Sequence, residues 1–214
     1  MRRFALTSPP ETVRAFFGYG DRPEFPPRAE IAPTEPIAVV CARAFTHGAG
    51  RRFLLMRWGF LPGFVKDPQH FPLIVNARAE GVLERPSFAA AFKRRRCLAP
   101  ADGFYAGSSP KRFVAAADGG PLGLAGLYET YLDHTGGELD GACLITTSAN
   151  ATLAPFSERM PVIVPRSAFS AWLDHETTPL SAALALLRPA PEGLLRLAGA
   201  ASATRPGRAA DAQG

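Results

Sequence analysis

The sequence predicts an α+β fold, a single domain built on a curved or barrel-like, mainly antiparallel β-sheet with short flanking helices. Its 214 residues suffice for one well-buried core. Its 20 glycines and 21 prolines indicate many turns and short elements, and about seven apolar strand segments outnumber roughly three or four helical ones. We expect the domain to span residues 1–199, and residues 200–214, which lack apolar periodicity, to form a disordered tail.

The chain is predicted to begin with a helix, a coil and a hairpin. Residues 8–11, Ser-Pro-Pro-Glu, have the pattern of a capping box, in which the serine hydroxyl caps the helix that follows. Residues 21–36 contain five prolines and predict a coil on the surface. Residues 37–43 and 53–58 then predict the two strands of a hairpin, joined through a glycine-rich turn at residues 47–50.

The rest of the chain alternates further strands with two helices. Strands are predicted at residues 73–78, 111–117, 122–129, 141–147 and 160–164, and helices at residues 87–94 and after Ser167, which is expected to cap the last one. The first of these helices ends in the run Lys-Arg-Arg-Arg at residues 93–96. These cations either complement the partial negative charge of the helix C-terminus or form a phosphate-binding patch.

Composition narrows the classes of function. Lysines and arginines number 24 against 19 acidic residues, an excess that suits either a polyanionic partner or simple solubility. Cys41, Cys97 and Cys143 lie in separate apolar runs without metal-ligand spacing, which predicts reduced core thiols in a cytoplasmic protein. Because the sequence contains no phosphate loop, no metal-spaced histidine pair, no nucleophile elbow and no apolar run near about 18 residues, we expect no cofactor, no metal and no membrane contact.

Residues 97–107, Cys-Leu-Ala-Pro-Ala-Asp-Gly-Phe-Tyr-Ala-Gly, have the form of an approach to an active site. An apolar segment runs into an Ala-Asp-Gly turn and then into an aromatic pair. Yet Ala106 and Gly107, which follow that pair, carry no acid, base or nucleophile. The segment therefore has the surroundings of a site without an evident reactive group.

Six segments in colinear order give this pattern a context. They are RWGFLPG (57–63), VNARAE (75–80), RRCLAPADGFY (95–105), AGLYET (125–130), LITTSAN (144–150) and ERMPVIV (158–164). Together they resemble the SOS response-associated peptidase (SRAP) family, also called abasic-site-processing proteins, over about residues 1–175. The resemblance implies a single SRAP-like domain of the predicted fold class.

The resemblance also implies a chemistry that belongs to the DNA damage (SOS) response. Family members bind single-stranded DNA in a basic cleft. A cysteine that becomes N-terminal after removal of the initiator methionine traps the aldehyde of an abasic site as a thiazolidine, its amine condensing with the aldehyde and its thiolate closing the ring. A glutamate, a histidine and an asparagine position the sugar and move protons.

This chain departs from the family at three of these four catalytic positions. Arg2 stands where the family has the cysteine, and an arginine after Met1 is expected to block removal of that methionine. Ala106 replaces the glutamate and Ser157 replaces the histidine. Only Asn76 is retained, so we expect the thiazolidine reaction to be lost.

The positions that the resemblance assigns to DNA binding are better preserved. Arg3, Arg78 and Arg159 match arginines that contact phosphates, a task that suits the fixed fork of guanidinium donors. Asn76 matches the residue that positions the sugar, and Phe64 matches an aromatic or apolar wedge that stacks on neighbouring bases. Each has a structural alternative, because surface arginines also pair with carboxylates and a loop phenylalanine also anchors in the core.

Three carboxylates bear on these alternatives. Glu80 and Glu158 are the acidic residues expected to pair with the arginines. Glu30 stands where the family commonly has an asparagine, and a carboxylate there would repel a phosphate. If these carboxylates pair with the arginines, the guanidinium groups are less available to bind DNA phosphates.

Three functions are compatible with these residues. The first is a monomeric, cytoplasmic or nucleoid-associated protein that binds single-stranded or abasic DNA without cross-linking it. The second is a residual enzyme whose Met1 amine, with an ordinary pKa of about 7.7 to 8.0, forms a Schiff base with the abasic aldehyde. The third is a protein-interaction module with a repurposed cleft, which a filled or acidic cleft would favour.

Overall fold

The computed structural model describes residues 1–42, 50–108 and 110–198. Within these ranges the helices are α1 (Pro10–Phe17), α2 (Pro86–Arg94), α3 (Phe169–Leu173) and α4 (Leu180–Ala185), with 3₁₀ turns at Ala79–Gly81 and Arg166–Ala168. The strands are β1 (Phe4–Leu6), β2 (Arg28–Ile31), β3 (Pro36–Ala42), β4 (Arg51–Trp58), β5 (Asn76–Arg78), β6 (Arg96–Ala101), β7 (Gly103–Ala106), β8 (Arg112–Ala116), β9 (Leu122–Leu132), β10 (Glu138–Ser148), β11 (Arg159–Pro161), β12 (Ile163–Val164) and β13 (Leu195–Ala198).

Five strands close into a small barrel. β3 pairs with β4 and β6, and β9 pairs with β6 and β10, all antiparallel. The ring closes where β10 runs parallel to β4 at Gly141 and Ala142. At that end of β4 the Trp58 ring is fully buried, and its indole N–H donates to the Val75 carbonyl at 2.9 Å. The predicted α+β fold with a barrel-like, mainly antiparallel sheet is confirmed.

A second, antiparallel sheet carries the start of the chain. Its strands lie in the order β13-β8-β7-β1-β2. β1 pairs with β7 through Phe4 and Phe104, so residues 1–3 lie beside the end of β7. On the barrel, β10 extends beyond the ring and pairs with β5 and β11, whose first residues are Asn76 and Arg159. Strand pairing thus brings residues that are far apart in sequence toward the chain start.

The predicted capping box at the start of α1 is wrong. Pro9 occupies the position before the helix, and no side chain caps it. Ser8 instead donates its backbone N–H and its hydroxyl to the Asp102 carboxylate, at 2.7 and 2.6 Å. A carboxylate forms charge-assisted hydrogen bonds, which are stronger than the neutral bonds of a capping box.

The predicted strand segments all contain strand residues, and the hairpin of β3 and β4 is confirmed. β1, β2, β6, β7 and β13 were not predicted; they depend on pairing partners elsewhere in the chain. Thus β2 is not coil as expected, since it pairs with β1. Ser167 does not cap α3; it lies inside a 3₁₀ turn, and Ala168 precedes the helix. The predicted tail and most of the turn at residues 47–50 lie outside the described residues.

The cysteines are confirmed as free, buried thiols. Cys41 and Cys97 lie opposite each other on β3 and β6, and Cys143 lies on β10. Burial raises the pKa of Cys41 to about 11 and also raises the pKa of Cys97 and of Cys143. All three thiols therefore stay protonated at neutral pH.

Candidate functional site

A cavity of about 630 Å³ opens where the start of the chain meets the end of β7. It is lined by residues 1–3, 104–108 and 156–159 and by Lys111. The backbone N–H of Tyr105 donates to the Arg3 carbonyl at 3.0 Å, which fixes the first segment against the second. The third segment leads into β11, which pairs with β10.

The Ala-Asp-Gly turn before this pocket has a structural role. The Asp102 carboxylate accepts hydrogen bonds from Ser8 and from the Thr7 hydroxyl, the latter at 2.9 Å. Gly103 follows because a Cβ there would lie 2.4 Å from the Val114 carbonyl oxygen on β8. The turn therefore ties the N-terminal segment to the second sheet and supplies no reactive group.

Met1 is held at one end of the pocket by Asn76. The Asn76 Nδ2 donates to the Met1 carbonyl at 2.7 Å, and the Asn76 Oδ1 is buried without a hydrogen-bond partner within the described ranges. Burial lowers the pKa of the Met1 α-amine below its ordinary value, and the positive charges of Arg2 and Arg159 lower it further. A larger fraction of this amine is therefore neutral and nucleophilic at neutral pH than in a free peptide.

The four positions that the resemblance assigned to catalysis meet at this pocket. Arg2, Ala106 and Ser157 line it, and Asn76 holds the residue beside Arg2. The Ser157 hydroxyl is already engaged, since it donates to the Arg159 carbonyl at 2.7 Å. The pocket therefore brings these residues together, and the two positions that the resemblance assigns to the glutamate and the histidine carry a methyl group and a bonded hydroxyl.

Gly107 continues the pocket wall in a backbone conformation that favours glycine. Its φ is +78°, in the left-handed region, and a Cβ there would lie 3.3 Å from the Phe156 carbonyl oxygen. A residue with a side chain would therefore be strained at this position.

Two of the predicted DNA-binding arginines form intramolecular ion pairs. Arg3 pairs with Glu30 across β1 and β2. Arg159 donates to both carboxylate oxygens of Glu80, at 2.9 and 2.8 Å, and to the Thr146 carbonyl at 2.6 Å. The hydrogen bonds from Arg159 hold the pKa of Glu80 below its ordinary value.

The other two predicted contacts are exposed. Arg78 is exposed and makes no side-chain hydrogen bond or ion pair with another residue of the described ranges. Phe64 is 58% exposed, whereas Val65 beside it is only 8% exposed. Val65 therefore anchors the loop, and the alternative of Phe64 as a core anchor is wrong. Neither Arg78 nor Phe64 lines the pocket.

Lys111 is a pocket residue that the sequence analysis did not single out. It precedes β8, where Arg112 lies opposite Ala106 in the pairing with β7. The Arg112 guanidinium stacks on the Phe156 ring, 5.3 Å from its centroid, which leaves Lys111 at the rim. Only the pairing of β7 with β8, which the sequence did not predict, reveals this placement.

The basic run at residues 93–96 is largely a helix end. The Arg96 guanidinium is buried and donates to the carbonyls of Phe92, Trp172 and Asp174, at 2.9, 2.5 and 2.8 Å. Arg95 pairs with Glu129. Arg96 therefore bonds to carbonyls at the ends of α2 and α3, and two of the four cations are not available to a phosphate.

The described residues contain neither a metal-binding cluster nor a membrane-spanning helix. No group of three or more histidine, cysteine and acidic side chains in these ranges is placed to hold a metal ion. Among the same residues, no helix is long and apolar enough to cross a membrane.

Comparison with known proteins identifies the family that the chain matches. The family described as SOS response associated peptidase (SRAP) matches residues 2–202. The abasic site processing protein YoaM of Bacillus subtilis is 31% identical over 184 residues, which cover 83% of this chain and 78% of YoaM. The abasic site processing protein HMCES of Xenopus tropicalis is 29% identical over 162 residues, 63% of this chain and 48% of HMCES.

Solved structures share the fold. A crystal structure of a Bordetella bronchiseptica protein superposes with a TM-score of 0.77 at 25% identity, covering 92% of this chain and 98% of that chain. A Bacteroides thetaiotaomicron protein superposes with the same TM-score, 0.77, at 20% identity, covering 92% of this chain and 90% of that chain.

Proposed function

The chain belongs to the SOS response associated peptidase (SRAP) family, and we propose that it binds single-stranded or abasic-site DNA without the cross-linking or autoproteolytic activity of that family. Relatives such as YoaM and HMCES are abasic site processing proteins. The observation that carries the proposal is the composition of the pocket. It includes positions that the sequence resemblance assigns to catalysis, is rich in cations, and contains no thiol among its lining residues.

The absence of a thiol in the pocket argues against thiazolidine formation. That ring requires an amine and a thiol on adjacent carbons, and the second residue is Arg2. Cys41, Cys97 and Cys143 are buried in the core, and their raised pKa values keep them protonated. No cysteine can therefore replace the missing one without unfolding of the barrel.

The experiment is binding of fluorescent single-stranded oligonucleotides, with and without one abasic site, over a range of salt concentrations. We expect binding that weakens with salt, with a slope of about −0.7 in log K against log salt for each phosphate contacted. Denaturing gels of the same mixtures should show no adduct that survives without reductant. Absence of salt-dependent binding to every oligonucleotide would contradict the proposal.

A second candidate function rests on the Met1 amine. Met1 lines the pocket, Asn76 holds its carbonyl, and burial and the cationic neighbours lower the pKa of its amine. The amine nitrogen would attack the aldehyde carbon of an abasic site, the carbonyl oxygen would take up a proton, and loss of water would leave an imine. Without an adjacent thiol the reaction stops at this reversible stage.

Borohydride trapping tests this candidate. Hydride adds to the imine carbon and leaves a stable secondary amine, so a covalent adduct with abasic DNA should appear only when reductant is present. A chain whose Met1 amine is acetylated is the control and should give no adduct. Equal trapping by the acetylated chain would assign the reaction to a lysine.

The repurposed interaction module has less support. That interpretation predicted a cleft filled by side chains or lined by acidic groups. The pocket is open, and four cationic side chains line it against the single carboxylate of Glu158.

A further inference from the structure

The pocket carries more positive charge than a neutral sugar requires. Its lining includes the cationic side chains of Arg2, Arg3, Lys111 and Arg159, and Glu158 is its one acidic residue. An abasic sugar is uncharged at its reactive carbon. A surplus of cations inside a concave site is typical of anion binding.

Ion pairs show which of these cations are available. Glu30 neutralises Arg3, and Glu80 neutralises Arg159 through two hydrogen bonds. Within the described residues, Arg2 and Lys111 make no ion pair, and both side chains are exposed. Two unpaired cations from different segments of the chain therefore border one cavity.

The apolar part of the pocket has the surfaces that a nucleoside needs. Tyr105 and Phe156 line it, and each ring is held in place. The Tyr105 hydroxyl donates to the Ala29 carbonyl at 2.9 Å, and the Arg112 guanidinium stacks on Phe156. A volume of about 630 Å³ exceeds what a phosphate group alone fills.

We propose that the pocket binds a phosphate monoester at the end of a DNA strand, with Arg2 and Lys111 contacting the phosphate and Tyr105 and Phe156 contacting the terminal nucleoside. This inference rests on the proposed function, since it names the part of the DNA that enters the site. A monoester carries a charge of about −1.5 to −2 at pH 7, whereas each internal diester carries one. A site with two unpaired cations therefore prefers the end of a strand to its interior.

The test compares one single-stranded oligonucleotide in three forms: with a 5′-phosphate, with a 3′-phosphate, and with hydroxyls at both ends. We expect one phosphorylated form to bind about ten-fold tighter than the hydroxyl form, as a charge-assisted contact predicts. Competition by the matching deoxynucleoside monophosphate distinguishes a site for a strand end from a site for a free nucleotide. Weak competition supports the strand end, and competition as strong as that of the oligonucleotide overturns it.

Substitutions locate the contact. Lys111→Ala should make the phosphorylated and the hydroxyl oligonucleotide bind with nearly equal affinity. Lys111→Arg should retain most of the preference for the phosphorylated form. Lys93→Ala, which removes an exposed lysine at the end of α2, should leave that preference unchanged. Equal binding of all three forms overturns this inference while leaving the proposed function standing, and absence of binding to every form overturns both.

Discussion

Arg159 and Glu80 form a two-pronged ion pair, with both carboxylate oxygens accepting from the guanidinium at 2.9 and 2.8 Å. Arg159 is one of the residues expected to contact DNA phosphates. The guanidinium donors it would use for that contact are already engaged by Glu80. The Arg159 Nε is buried and has no partner within the described ranges. The pair holds the guanidinium in one orientation at the pocket, and binding of a phosphate by Arg159 has to compete with Glu80.

Glu80→Gln should therefore strengthen DNA binding. Removing the carboxylate charge frees Arg159, and one added phosphate contact steepens the salt slope by about 0.7. The measurement is the affinity for single-stranded DNA over a range of salt concentrations, for the unchanged protein and for Glu80→Gln. Glu84→Gln, an exposed neighbour without an ion pair in the described residues, is the control and should leave the slope unchanged. Weaker binding by Glu80→Gln would show that the carboxylate orients Arg159 for DNA.

Glu30→Asn should act in the same direction through Arg3. The substitution restores the residue type of the family pattern and removes the carboxylate that pairs with Arg3. We expect about a three- to ten-fold gain in affinity for single-stranded DNA at low salt, which fades as salt screens the charges. Glu24→Asn is the matched change on the exposed surface. An unchanged affinity would place Arg3 outside the DNA contact.

The reactivity of the Met1 amine should depend on pH in a defined direction. Because its pKa is lowered, the neutral form appears at lower pH than in a peptide with the same first residues, and the rate of amine labelling should rise with a lower midpoint. Arg2→Gln, which removes the charge but keeps a long side chain after Met1, should move that midpoint upward. The charged groups that line the pocket around the amine are Arg2, Arg3, Lys111, Glu158 and Arg159. A midpoint equal to that of the peptide would contradict this placement.

The same shift links pH to stability. In the unfolded chain the Met1 amine has its ordinary pKa of 8.0 and binds a proton more tightly than in the folded protein. The unfolded state therefore holds more protons between the lowered pKa and 8.0, and the free energy of unfolding should increase as pH rises through that window. Chemical denaturation with and without N-terminal acetylation isolates this contribution.

Phe64→Ala should weaken binding without affecting stability. The ring is 58% exposed, so it contributes little to the core. If it stacks on a base, its loss costs about 1 to 3 kcal/mol of binding free energy, or roughly five- to 150-fold in affinity. Leu132→Ala, at a residue that is 61% exposed, is the control for loss of apolar surface and should change neither quantity. Unchanged DNA affinity in Phe64→Ala would remove the stacking role.

Asp102→Ala should destabilise the fold, since the carboxylate accepts hydrogen bonds from both Thr7 and Ser8. Donors that lose a charged acceptor in a partly buried position cost about 2 kcal/mol or more of unfolding free energy. Thermal or denaturant unfolding measures the loss. Asp118→Ala, in an exposed turn where the carboxylate accepts from the Gly120 N–H, should cost much less. Equal losses would indicate that the Asp102 contacts contribute nothing specific.

The sequence by itself determined the family and the fold class. Period-two apolar patterns located the long strands, and six colinear segments identified the ancestry. The residue types at Arg2, Ala106 and Ser157 were read directly, and the structure places all three around one pocket. These features could be predicted because they depend on residue type and local spacing.

Only the tertiary structure determined which of the charged side chains are free to bind a ligand. Glu80 lies 79 residues from Arg159, and Asp102 lies 94 residues from Ser8. Sequence reasoning placed Ser8 in a local capping box and left Lys111 unnoticed. The bond from Ser8 to Asp102 and the place of Lys111 at the pocket both depend on residues far away in the chain. Strand pairing between distant segments determines which charges meet. Whether an arginine is neutralised or free depends on that pairing, because an ion pair acts over a few ångströms in space whatever the separation along the chain.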